Sequence, residues 1–182
     1  MIPKVTIYKH TLKWAAISGA VLIIHRIALL VLGKDKVHEV HSQYLSLFFI
    51  SVIIASIVAI YMYKRANNFS LTLKQAFQIG TFITIIMTLL ITIYDAIFLT
   101  IIEPDHYQSY YELNWEAELQ HHLSLNPEER SVKTFKVFVK EQRINHFKTW
   151  SPALLVYGLI LSSITSLIAG LIMRTKRKKI KN

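Results

Sequence analysis

Four long apolar runs separated by charged stretches set the character of this chain: Trp14 to Leu32, Tyr44 to Tyr63, Phe77 to Ile102, and Ser151-Pro152 to Met173. A helix rises ~1.5 Å per residue and the hydrocarbon core of a bilayer is ~30 Å thick, so about twenty apolar residues make a span. Each run is of that order. His25 and Arg26 interrupt the first, the second carries no charge, and the third contains only Asp95. Serine followed by proline is a helix-start signal for the fourth, at about 152, which stops at the basic tail Arg174 to Lys179. The pattern predicts one domain over residues 1–182, an all-α integral membrane four-helix bundle.

Residues 103–151 break the pattern. After Glu103-Pro104-Asp105, the residues Tyr107, Tyr111, Trp115, Leu119 and Leu123 recur every fourth position, an apolar stripe on one helix. A second start signal, Asn126-Pro127-Glu128-Glu129, precedes Val132, Phe135, Phe138 and Val139 on one face. The first stretch carries Glu112, Glu116 and Glu118, the second mainly Lys133, Lys136, Lys140, Arg143 and Lys148. Opposite charge on consecutive amphipathic helices predicts an extracytoplasmic helical hairpin between spans three and four.

Charge then orients the spans. The chain has 21 Lys and Arg against 11 Asp and Glu, and no cysteine. Lys4, Lys9 and Lys13, then Lys64, Arg65 and Lys74, then the tail hold 12 of the basic residues and no acid; the opposite loops hold 8 basic and 10 acidic residues. Basic residues favour the cytoplasmic side, so both termini are expected there. This placement assigns the basicity to membrane orientation rather than to nucleic acid, for which no binding motif occurs. Without cysteine there are no disulfides and no thiolate metal sites. The first run is read as a retained span, because His25 and Arg26 interrupt it and no small-residue cleavage site follows.

Helices in lipid associate through close packing and polar contacts. Span four carries Gly158, Ser162, Ser166 and Gly170, a groove of small residues at every fourth position, and span two offers Ser51, Ala55 and Ala59. Ala15, Gly19, Leu22 and Arg26 share a face of span one. Thr81, Thr84, Thr88, Thr92 and Asp95 align on span three, either as bundle contacts bonded to their own helix or as a polar pathway. Arg26 and Asp95 lie at matched depths, roughly 9 and 10 Å from the outer ends of their spans. A charge inside the hydrocarbon calls for a partner, and an Arg26–Asp95 ion pair, joined by His25, is the expectation. Snorkelling of Arg26 and a proton or substrate site at Asp95 are the alternatives.

Six of the eight histidines fall on the outer side: His38, His41, His106, His121, His122 and His146. Their spacing is not that of a metal site, since two residues separate His38 from His41 and adjacent histidines on a helix diverge. No catalytic motif is present, so neither enzyme activity nor a cofactor is expected.

The run Phe69-Ser-Leu-Thr-Leu-Lys-Gln-Ala-Phe-Gln-Ile-Gly80, leading through span three to Ile102-Glu-Pro-Asp105, resembles a family of small four-span membrane proteins of unknown function common in Bacteroidota. The resemblance covers the layout of the whole chain. It implies a bacterial inner membrane location and no established activity. Two classes of function fit the residues: a non-catalytic accessory or assembly component that holds a protein partner or a second copy through its helices, and a small transporter or sensor using Asp95, Arg26 and the threonine stripe. The topology is testable directly. A reporter fused after Asn182 should read cytoplasmic and one inserted near Asn126 external; the opposite result at either site overturns the orientation.

Overall fold

The computed structural model describes residues 6–31, 37–102, 104–105, 120 and 135–174. Among them the chain is all-α, with α1 at Ile7–Val31, α2 at Val37–Ala66, α3 at Leu73–Ile97, α4 at Phe135–Asn145 and α5 at Ser151–Met173. Four helical stretches are long and apolar enough to cross a membrane: Ile7–Leu29, Leu45–Ala66, Leu73–Ile102 and Val137–Met173. The helices start earlier than the apolar runs that predict them, because a helix continues past the hydrocarbon boundary into polar residues such as Lys9 and Lys74. At the start of α3 the signal is a capping box: Thr72 Oγ1 accepts from Gln75 N–H at 3.2 Å, and Gln75 Oε1 accepts from Thr72 N–H at 2.9 Å.

α5 begins at Ser151-Pro152 as expected, but not as a capped start, because helical residues precede it. α4 passes through a π turn, His146–Trp150, directly into α5. Ser151 has helical φ and ψ, and its N–H donates to the carbonyl of His146, five residues back. Proline lacks an N–H and its ring crowds the carbonyl four residues before it, and a wider turn at that point accommodates both. The second arm of the expected hairpin is therefore an extension of span four, with Phe138 buried. The first arm, with Tyr107, Tyr111, Trp115, Leu119 and Leu123, lies outside the described residues.

Two compact units divide the chain, one of residues 1–91 with 154–182 and one of residues 92–153. In the first, the small residues of α5 meet those of α3. A Cβ placed on Gly80 would strike Ser166 Oγ and lie 3.1 Å from the Ser162 carbonyl oxygen. One on Gly170 would come within 2.8 Å of Ala76 Cβ, and one on Gly158 within 2.8 Å of Thr84 and 3.3 Å of Phe48. Rising numbers on α3 thus meet falling numbers on α5, an antiparallel pair. α3 together with Phe48 of α2 packs against the small residues of α5. On its other side α3 receives α1 in parallel: Tyr8 packs edge-on to Phe82, and Gly19 sits against Leu90. α1 meets α2 through His10, whose Nε2 lies 2.9 Å from the Ala59 carbonyl oxygen.

Polarity runs inward. Thr11, Ser56, Thr84, Thr88, Ser162 and Ser166 are buried, while Val21, Ile24, Ile54, Leu89, Ile160 and Ile172 face outward. A water-soluble protein could not present so much contiguous apolar surface, but lipid tails solvate it. Ala15, Gly19 and Leu22, which share a face in the sequence, are all buried. So are Ala55 and Ala59 of span two.

The close approach at Gly80 yields a prediction. Gly80→Ala should lower the melting temperature in detergent, at a cost of ~1–3 kcal/mol typical of overpacking. Adding Ser166→Ala removes the struck oxygen and should recover part of that loss. Equal losses in single and double variants would show that α3 and α5 do not meet at this point.

Candidate functional site

The second unit contains a buried carboxylate. Asp95 lies near the end of α3 and is 1% exposed. Its partner is His146, the first residue of the π turn between α4 and α5. His146 Nε2 stands 3.4 Å from Asp95 Oδ2, with side chains 8% and 2% exposed. With Nε2 protonated the imidazole donates to the carboxylate, a contact at the long end of the hydrogen-bond range that strengthens if the ring also gains charge.

Local structure positions both groups. α3 ends in its own π turn, Phe98–Ile102, just beyond Asp95. Single π turns inside or at the end of α-helices concentrate at functional sites, because the extra residue re-aims side chains that α geometry would hold elsewhere. Around the pair the unit is apolar and aromatic. Phe98, Leu99 and Phe138 are buried, Tyr94 stacks on Phe98 with ring centres 6.0 Å apart, and Phe147 meets the His146 ring edge-on at 5.2 Å. The Ser151 hydroxyl is buried without a hydrogen-bond partner among the described residues. A buried carboxylate–imidazole contact in an apolar setting is what this arrangement offers chemically. Its nearest titratable companions along the same elements are Tyr94 beside Asp95, and Lys140, Glu141 and Lys148 around His146.

Arg26, the expected partner of Asp95, is half-buried on α1 and has an interaction of its own. His25 is exposed on α1. Of the threonine stripe, Thr84 donates to the Gly80 carbonyl at 3.2 Å, as a helix-bonded hydroxyl should. The Thr81 and Thr88 hydroxyls are buried without such a partner among the described residues. His146 is the residue that sequence reasoning missed, having read it as one more outer histidine. Its signal would have been its place on the Phe138 face just before Ser-Pro, at a distance of 51 residues from Asp95. His106, His121 and His122 lie outside the described residues.

A family described as a protein of unknown function, DUF4199, matches residues 13–175. The chain belongs to that family. The match takes in the first membrane-crossing stretch from Lys13 onward, the other three whole, both π turns and the Asp95–His146 pair, so the site sits inside the DUF4199 domain rather than in an appendage. No curated protein and no solved structure matches the chain.

Removing one member of the pair should be worse than removing both. Asp95→Leu or His146→Leu alone deprives a buried polar group of this contact, a loss of about 1–3 kcal/mol. The double substitution should recover part of it. Additive losses in detergent melting curves would show that the two side chains do not stabilise each other.

Proposed function

We propose that this protein is a small proton-responsive membrane protein, a sensor or the proton-binding part of a carrier, with Asp95 and His146 as its titratable element. The buried carboxylate–imidazole contact beside two π turns carries this reading. Ionisable residues within the membrane are costly and pair with one another where they mark proton relays, and histidine changes charge in the range that cells and their surroundings span. Protonation of either member alters the charge of the contact, and a neighbouring π turn is an element able to respond by changing its hydrogen-bond register. The basic segments and the family resemblance support a bacterial inner membrane location with cytoplasmic termini.

A second reading, an accessory or assembly component without catalysis, is favoured by α1. His25 is exposed on a membrane-crossing helix whose apolar window is only 17% buried, and polar side chains in spans ordinarily face protein. A partner helix covering that surface would account for both.

The absence of cysteine makes the first reading easy to test. A single cysteine at Ile101, which is 73% exposed, can carry an environment-sensitive fluorophore in liposome-reconstituted protein. Mild acidification of the face bearing the pair should change its emission reversibly, and Asp95→Asn or His146→Gln should abolish the change. A response that survives both substitutions, or no response in the parent, overturns the proposal. A pH dye trapped inside the same liposomes separates the carrier, which moves protons, from the sensor, which does not.

A further inference from the structure

The turn joining α2 to α3 holds an aromatic residue in an unfavourable conformation. α2 ends with Asn68 left-handed at φ 53°, and the Phe69 N–H donates to the Lys64 carbonyl at 2.9 Å. That is a Schellman-type helix end, in which one left-handed residue is normal and asparagine tolerates it. Phe69 is also left-handed, at φ 60°. The motif does not require this, and a bulky residue there is a genuine outlier that persists only when something holds it. The conformation leaves the ring 63% exposed, two positions before Leu71, which is buried.

Basic residues surround it in sequence. Arg65 and Lys74 are exposed and Lys64 is half-buried, with the Arg65 guanidinium 5.9 Å from the Tyr61 ring centre. No acidic residue occurs between Glu39 and Asp95. The flanking membrane-crossing stretches end at Ala66 and begin at Leu73, so the turn lies at the level of lipid headgroups. An exposed ring suits the boundary between headgroups and acyl chains, and uncompensated cations suit phosphate.

We infer that the Asn67–Thr72 turn is an anionic-phospholipid site, in which Phe69 inserts beside the acyl chains while Lys64, Arg65 and Lys74 hold the headgroup phosphate. Charge complementarity and the headgroup level of the turn select lipid over a soluble partner. The left-handed backbone at Phe69 is then a local cost maintained for the placement of the ring.

The test uses the full chain in nanodiscs of equal parts phosphatidylcholine and phosphatidylglycerol, with retained lipids counted by native mass spectrometry. The parent should retain phosphatidylglycerol in preference. Each basic residue at an anionic surface contributes about fivefold, so Lys64→Gln, Arg65→Gln and Lys74→Gln should each reduce the preference by a factor of that order. Phe69→Gly should reduce it too, yet melt no lower than the parent in phosphatidylcholine alone, since glycine accepts the positive φ. Phe69→Trp should retain the preference. Unchanged retention in Phe69→Gly, or no preference in the parent, overturns the site and leaves the turn open to a soluble protein. A lower melting temperature for Phe69→Gly in phosphatidylcholine also overturns it, by showing that the ring serves packing.

Discussion

Everything in the first unit depends on how closely α3 and α5 approach at Gly80. Lipid tails are as apolar as the side chains they solvate, so no hydrophobic force drives two helices together inside a membrane. What remains is dispersion and dipolar contact, which falls away quickly with distance. With hydrogen at Gly80, Ser166 reaches the backbone of the neighbouring helix, and the same register brings Ala76 to Gly170 and Thr84 to Gly158. Phe48 of α2 then finds its place over Gly158, and α1 closes on the free flank of α3 through Gly19 and Leu90. A larger residue at one point of this seam would loosen several contacts at once, since they lie along the same two rigid rods.

Several polar groups of the spans are satisfied within the protein. Thr84 turns to its own helix carbonyl, and Thr100 does so at 2.6 Å. Toward the basic end, Gln75 caps α3 and its amide lies 3.5 Å from the Tyr63 hydroxyl, while the Tyr63 ring meets His10, which bonds to Ala59. Three helices are thereby tied through Gln75, Tyr63 and the His10 ring. The Asp95–His146 contact differs in joining two ionisable side chains.

How much of this was legible in the chain depends on the range of each cause. Span length and the fourfold spacing of Gly158, Ser162, Ser166 and Gly170 are local properties, and both reappear in the structure as helices and a buried face. That α3 fills the groove could not be read, because nothing in one helix names its neighbour. The Ser-Pro signal was ambiguous because proline marks a helix start and also fits a widened turn within a continuous helix. Asp95 was recognisable as a charge in need of a partner, and His146 was not, because it reaches Asp95 only through the fold of a segment that looked peripheral. The capping box at Thr72 and Gln75 was visible in principle, but lay outside the apolar run taken as the span.

The π turn at His146–Trp150 has a consequence for how such a chain can vary in length. An α turn holds 3.6 residues and advances each successive side chain by about 100°. Losing one residue from the middle of α3 would therefore swing everything beyond it to another face and scatter its seam. A π turn already contains one residue more than the α turn it replaces. A residue removed there would narrow a turn that is wider than α geometry needs, at the cost of pressing the Pro152 ring on the carbonyl four residues before it. The widened turn is thus where a change of length would disturb the seam least, and single-residue gaps among relatives should gather there while the rods on either side keep constant length.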